Sequence, residues 1–277
     1  MAERLTLAYS PCPNDTYIFA ALANGLLPDA PAVRVQLEDV ENLNNSALKA
    51  DYELTKVSYG AIPLLMQNYS ILRAGGALGT GCGPLVVARP GTISSLDDLH
   101  DKLVAIPGEM TTAFMLLRLA LNARPQTVSM RFDLVMDAVI GGTADAGLII
   151  HESRFTYADR GLERVADLCD WWEEQTSLPI PLGAILIRSD VAEQASEIND
   201  ALRRSLSYAR EHEDQVMPYV RQHATEMSEP VMRRHIETYV NEYSVDVGDL
   251  GIAAARELFR RAHEARVVPE TAEPVFV

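Results

Sequence analysis

Cysteine is scarce in this chain of 277 residues: Cys12, Cys82 and Cys169 are the only three. They are odd in number and far apart, which argues against a disulfide framework and shows no metal-ligand spacing. Positive charge is also short, with 24 Lys plus Arg against 39 Asp plus Glu, a formal net charge of −15. Nucleic acid is therefore set aside as a partner. No run approaches the ~18 uncharged apolar residues of a membrane span. Met1 to Arg4 lead directly into strand-like Leu5 to Tyr9, with no apolar leader stretch. The expectation is a cytoplasmic protein without membrane attachment. One glycine-rich turn, Gly79 to Gly83, lacks a Lys-Ser/Thr follow-on and opens no clear helix, so it is taken as a turn and not as a phosphate cradle.

What the chain has is a large apolar fraction, 48%, enough for two domains or one large one. Its opening alternates strand and helix. Strands are expected at Leu5 to Tyr9, Val33 to Leu37 and Leu54 to Ser58, with helices from Asp15-Thr16, over Val40 to Ala50 and near Ala61 to Gln67. A second set follows: Leu103 to Ile106, a helix from Thr111-Thr112, a strand near Val128 to Phe132, a helix over Leu134 to Ile140, and a strand from Asp145 ending at His151. Beyond Val191 the pattern is mainly amphipathic helix. The alternation implies an α/β protein with mostly parallel sheets and a helical C-terminal part. Two layouts are compatible with it. In one, residues 1–89 and 183–277 form a discontinuous first lobe and 90–182 a second, with crossings near Ala88 to Pro90 and Pro179 to Gly183. In the other, one continuous sheet carries a helical tail.

The polar residues that follow buried strands draw attention to one region. Ligands of open α/β sheets sit beyond the carboxyl ends of the strands. Ser10, Ser58, Thr111-Thr112 and His151 all fall there. Two of these positions open helices, where free backbone N–H groups favour an anion. Pro11 and Pro13 stiffen the first turn. His151 stands apart among the six histidines because it leaves an apolar run, Gly147 to Ile150, whereas His100, His212, His223, His235 and His263 have charged or polar neighbours. Imidazole is the side chain best suited to move a proton near neutral pH. Other roles remain open on residue type alone. Lys56 is an exposed charge or a cleft cation, and Asp15 a cap or a positioner. Arg154 meets a ligand carboxylate or pairs with Glu152. One of Trp171 and Trp172 packs in the core, while the other is free to cover an aromatic ligand.

Several long stretches then carry a resemblance: Ser10-Pro11-Cys12-Pro13-Asn14-Asp15-Thr16, Gly75 to Gly79 with Gly83 to Ala88, Gly147 to Tyr157 including His-Glu-Ser-Arg, Leu182 to Ile185, Tyr239-Val240-Asn241 and Pro274 to Val277. Together they resemble the 1,4-dihydroxy-6-naphthoate synthase family of the futalosine route to menaquinone, over nearly the whole chain. The resemblance implies a two-lobed, type II periplasmic-binding-protein-like fold and a lyase acting on cyclic dehypoxanthinyl futalosine. It implies His151 as proton acceptor, and substrate contacts at Lys56-Val57-Ser58 and Thr111-Thr112, with no departure at those positions. Ser10, Asn14 and Arg154 join them as binding candidates from their place at the strand ends. No metal or other cofactor is implied. Two alternatives remain at this point: a non-catalytic small-anion-binding protein of the same fold, and a sister dehydratase acting on chorismate-derived material.

Overall fold

The computed structural model describes residues 4–224, 228–269 and 273–277. β1 (Leu5–Tyr9) is buried along its length and leads through Ser10-Pro11-Cys12 into α1 (Pro13–Ala23), which has proline at its first position. β2 (Val33–Leu37) alternates half-buried and exposed residues, as an edge strand does. α2 (Val40–Leu48), capped by Asp39, turns Leu43 and Ala47 inward. β3 (Leu54–Ser58) is again fully buried. β4 (Tyr69–Ile71) and β5 (Ala77–Gly79) follow.

The chain then leaves this sheet. β6 (Leu85–Ala88), β7 (Leu103–Ile106), α3 (Thr112–Leu121), β8 (Gln126–Ser129), α4 (Val135–Ile140), β9 (Ala146–Ile149), α5 (Ser153–Thr156), β10 (Glu163–Asp167) and α6 (Leu168–Thr176) complete a second unit. It returns as β11 (Ile180–Arg188) and ends in α7 (Ala195–Glu211), α8 (Glu213–His223), α9 (Glu229–Tyr239), α10 (Glu242–Val245) and α11 (Gly248–Glu264).

Among the described residues there are two sheets, not one. The first has the order β2-β1-β3-β11-β4 with β5 also on β11, and the second β10-β6-β9-β7-β8. Both are mixed. β1 runs parallel to β2 and β3, and β7 parallel to β8 and β9, but β11 is antiparallel to β3, β4 and β5, and β6 antiparallel to β9 and β10. The reversal has a geometric cause. β1, β3, β7 and β9 end at a common cavity, whereas β6 and β11 arrive from the other sheet and therefore begin there. A strand that starts where its neighbours finish must run against them. The first crossing also comes earlier than the apolar pattern suggests: β6 already belongs to the second sheet, so the glycine-rich turn makes the passage and not Ala88 to Pro90. Gly83 lies so close to α6 and to the first residue of the returning β11 that a Cβ there would sit 2.6 Å from Cys169 Cβ and 2.9 Å from Ile180 Cδ1. The two crossings thus touch, and only glycine fits between them.

Alternation along β11 joins the packing layers. Ile185 and Ile187 meet Leu7, Phe19, Ile198 and Leu206 on one side. Ala184 and Leu186 face the other, with Val57 and Ile71. The chain end completes the edge: Val277 N–H donates to Ile71 O at 2.9 Å, and Ile71 N–H to Val275 O at 2.8 Å.

Candidate functional site

The strand ends and helix starts surround a single cavity. Ser10, Asn14, Lys56, Val57, Ser58, Thr111, Thr112 and His151 all lie on its wall. They come from both sheets.

The first corner is built on the start of α1. Cys12, in extended conformation, is the cap residue. Asp15 in the first turn is 3% exposed. One carboxylate oxygen accepts from Ser10 Oγ at 2.7 Å, and the other from Asn14 Nδ2 at 2.8 Å and from Lys56 Nζ. Lys56 reaches it from β3. Its ammonium also donates to Gly75 O at 3.3 Å and lies 5.8 Å from the Phe19 ring centroid. Lys56 is therefore neither an exposed charge nor a free cleft cation. It is half of a buried ion pair at the cavity wall. Burial of two charges is tolerated because each has several hydrogen-bond partners.

The second corner joins β3 to α3. Thr111 caps α3, its Oγ1 accepting from Phe114 N–H at 3.2 Å and donating to Gly108 O at 2.8 Å. Thr112 Oγ1 accepts from Gly60 N–H at 3.0 Å and donates to Leu182 O at 2.9 Å, so it ties the helix start to the first sheet. Ser58 N–H is held by Asn44 Oδ1 at 2.9 Å. The Asn44 amide also donates to Glu41 Oε2 at 3.0 Å, and burial raises the Glu41 carboxyl above its ordinary value of 4.5. The first N–H groups of α3 have no partner within the helix and, with its dipole, favour an anion beside Thr111, Thr112 and Ala113.

His151 closes the third corner, directly beyond β9. Its backbone is left-handed, with φ at +56°. That conformation is uncommon outside glycine and turns the side chain back toward the first sheet. His151 Nδ1 lies 3.6 Å from Cys12 Sγ. Its Nε2 is covered and has no partner. Phe132 meets the ring edge-on at a centroid distance of 4.9 Å. Burial lowers the pKa of His151 below 6.5, opposed by the charges of Asp15 and Asp39. Cys12 beside it is pushed well above its ordinary 9.0, by burial first and then by the charge of Glu152, so it stays a thiol. Glu152 itself has one buried, unpartnered oxygen, and burial raises its pKa from 4.5 to about 7.

Two expectations change. Arg154 is not on the cavity wall. Its guanidinium donates to Gly83 O and, at 3.1 Å, to Gly81 O, and pairs with Asp167 at 3.1 Å. The Asp167 carboxylate is buried and needs that cation, so Arg154 braces the crossing turn. Nor are all the other histidines solvated. His235, from α9, has no exposed surface and lies on the cavity wall, its ring 6.0 Å from that of His151 with the planes 11° apart. Its charged neighbours in sequence disguised it. The signal was helical spacing: Met232, His235 and Tyr239 recur at three and four residues and form the buried face of α9. Trp172 is core, its Nε1 donating to Pro179 O at 3.0 Å, and Trp171 does not reach the cavity. Among the described residues, no three His, Cys, Asp or Glu side chains converge as a metal site requires.

Comparison with known proteins adds the chemistry. A family model described as menaquinone biosynthesis matches residues 5–264. A 1,4-dihydroxy-6-naphthoate synthase of Thermus thermophilus is 46% identical over 276 residues, covering 99% of this chain and 100% of its own. One from Streptomyces coelicolor is 44% identical, covering 97% and 96%. A solved protein of Archaeoglobus fulgidus superposes with a TM-score of 0.90 at 36% identity, covering 96% of this chain and 99% of that one. The periplasmic aliphatic sulphonate binding protein of Escherichia coli shares the fold, with a TM-score of 0.67 at 14% identity, covering 99% and 91%. The architecture is thus periplasmic-binding-protein-like.

Proposed function

The chain belongs to the menaquinone-biosynthesis family and is a lyase of the 1,4-dihydroxy-6-naphthoate synthase type, and from this premise we propose that it converts cyclic dehypoxanthinyl futalosine into 1,4-dihydroxy-6-naphthoate in that cavity, with His151 as proton acceptor. The observation that carries the reading is the covered, unpartnered Nε2 of His151 on a wall shared by two helix starts.

On this reading, the substrate's aromatic carboxylate lies at the start of α3, where N–H groups, the helix dipole and the Ser58 hydroxyl supply donors. The Lys56–Asp15 pair is internally neutral and shapes the wall without attracting a second anion. His151 carries its hydrogen on Nδ1, facing the Cys12 sulfur, and its lone pair on Nε2. Nε2 removes a proton from the sugar-derived ring. The electron pair released lets a carbon–carbon bond break, the proton held by His151 returns to the carbon fragment set free, the sugar-derived remainder departs, and the ring left behind becomes aromatic. A covered base suits this step, because water is kept from the reacting carbons and neutral imidazole persists at physiological pH. The two sheets, as two lobes joined by the crossings at 80–84 and near 179, part to admit the substrate and meet around it.

The test uses His151→Asn. Asparagine accepts a left-handed backbone better than alanine, so the fold is less disturbed. Mixed with cyclic dehypoxanthinyl futalosine, the wild type produces the naphthoate absorbance. H151N retains substrate affinity within a few-fold but loses about 10²–10⁴ in turnover. Wild-type turnover in H151N removes His151 as the base and makes Glu152 the next candidate. Binding without turnover in the wild type refutes the enzyme assignment for this substrate.

A further inference from the structure

The second imidazole of the cavity has a tautomer fixed by its surroundings. His235 Nε2 lies 3.0 Å from Asn14 Oδ1. Asn14 spends its amide N–H₂ on Asp15 Oδ1 at 2.8 Å, and an ionised carboxylate can only accept. The amide oxygen of Asn14 is therefore the atom that faces His235, and Nε2 must carry the hydrogen. The Asp15 carboxylate is anchored in turn by Lys56 and Ser10. The chain of donors runs one way, from His235 through Asn14 to Asp15. What it leaves over is the lone pair of His235 Nδ1, which is buried and has no partner.

A census of acceptors on the wall makes that lone pair significant. Both Asp15 oxygens are occupied. The Thr111 and Thr112 hydroxyls donate to backbone carbonyls. Among the described residues of the wall, the fully covered side-chain acceptors without a partner are two ring nitrogens, His151 Nε2 and His235 Nδ1. A ligand that presents hydroxyl hydrogens needs acceptors of this kind, whereas a carboxylate is repelled by them. Burial first, and then the charge of a protonated His151, hold the imidazolium pKa of His235 well below 6.5. When His151 takes up a proton, His235 thus stays neutral and keeps its lone pair.

We propose that His235 is a second substrate-contacting residue, its Nδ1 accepting a hydrogen bond from a hydroxyl of the sugar-derived part while His151 Nε2 removes the proton. This rests on the assignment of the cavity to substrate and of His151 as base. No covalent step involves His235.

Two substitutions separate this role from a structural one. In His235→Gln, the amide nitrogen takes the place of Nε2 and keeps the bond to Asn14, but nothing replaces Nδ1. In His235→Asn, the side-chain oxygen takes the place of Nδ1 and the bond to Asn14 is lost. The proposal expects opposite orders in two assays. H235Q melts near the wild type yet raises KM about tenfold, the worth of one hydrogen bond. H235N melts lower but suffers the smaller rise in KM. If the two orders coincide, with H235Q better in both assays, His235 is purely structural and the proposal fails. A second measurement needs no variant at His235. In H151N saturated with cyclic dehypoxanthinyl futalosine, the ¹⁵N resonance of His235 Nδ1 moves from a bare toward a hydrogen-bonded position, and an unmoved resonance overturns the proposal. The underlying reading fails separately: an active H151N removes His151 as base, whereas an inactive H151N with wild-type KM in H235Q removes only the role of His235.

Discussion

Replacing Lys56 by methionine tests the buried pair at the base of the cavity. Lys56 and Asp15 are 6% and 3% exposed, so the pair is out of solvent. Methionine keeps most of the stem and its packing on Phe19 but removes the ammonium. Asp15 then retains Ser10 Oγ and Asn14 Nδ2 as donors and loses its counter-charge. Breaking a buried ion pair from one side costs about 3–5 kcal/mol, because the remaining charge is stranded. At roughly 2 °C per kcal/mol for a chain of this length, K56M should melt about 6–10 °C below the wild type by calorimetry. The two neutral donors do not offset this loss, since each already bonds to Asp15 in the wild type. Adding Asp15→Asn to K56M removes the stranded charge and should restore about half of the loss, whereas D15N alone strands the ammonium and destabilises by a similar amount. A K56M protein melting within 2 °C of the wild type, or a double variant no better than K56M, would refute the reasoning and mean that Asp15 does not depend on Lys56 for its charge.

Two further outcomes depend on pH. Burial holds the His151 pKa below 6.5, so neutral base persists into mildly acidic solution; the acid limb of kcat/KM should fall below pH 6.5, and a limb above that value contradicts the assignment. Glu152 moves the other way, its folded pKa of about 7 standing above the ordinary 4.5. Its protonated form contributes stability that is present below pH 4.5 and lost as pH rises through 7, up to about 3 kcal/mol. Glu152→Gln should therefore gain in melting temperature relative to the wild type between pH 5 and pH 8, and a constant difference across that range refutes the shift.

Much of the cavity wall was visible in the sequence because it lies where strands end. Ser10, Ser58, Thr111 and His151 each follow an apolar run, and the period-two and helical patterns locate those runs within a few residues. Pairing was harder to read. β6 and β11 carry the same apolar composition whether they run with or against their neighbours, so neither the mixed sheets nor the exact crossing could be seen in them. Arg154 shows a related limit: its partner, Asp167, is thirteen residues on in another element, and residue type does not reveal which carboxylate a guanidinium will meet. His235 was missed because its neighbours in sequence, Arg233, Arg234 and Glu237, point elsewhere around the helix. Long-range contact, not local composition, decides each of these cases.

The position of β11 also has a consequence for synthesis. In the first sheet it lies between β3 and β4, yet it is made more than a hundred residues after them. At ordinary elongation rates this interval lasts on the order of ten seconds. Throughout it, β3 and β4 leave the ribosome with a missing neighbour between them, while β6 to β10 are contiguous and can pair as they appear. The second sheet is therefore able to form first, and the first sheet waits. The nascent chain meanwhile exposes an apolar strand edge of the kind that invites mispairing with other chains. The two helix starts, one beside each sheet, meet only after β11 is in place, so affinity for the substrate is among the last properties the new protein acquires.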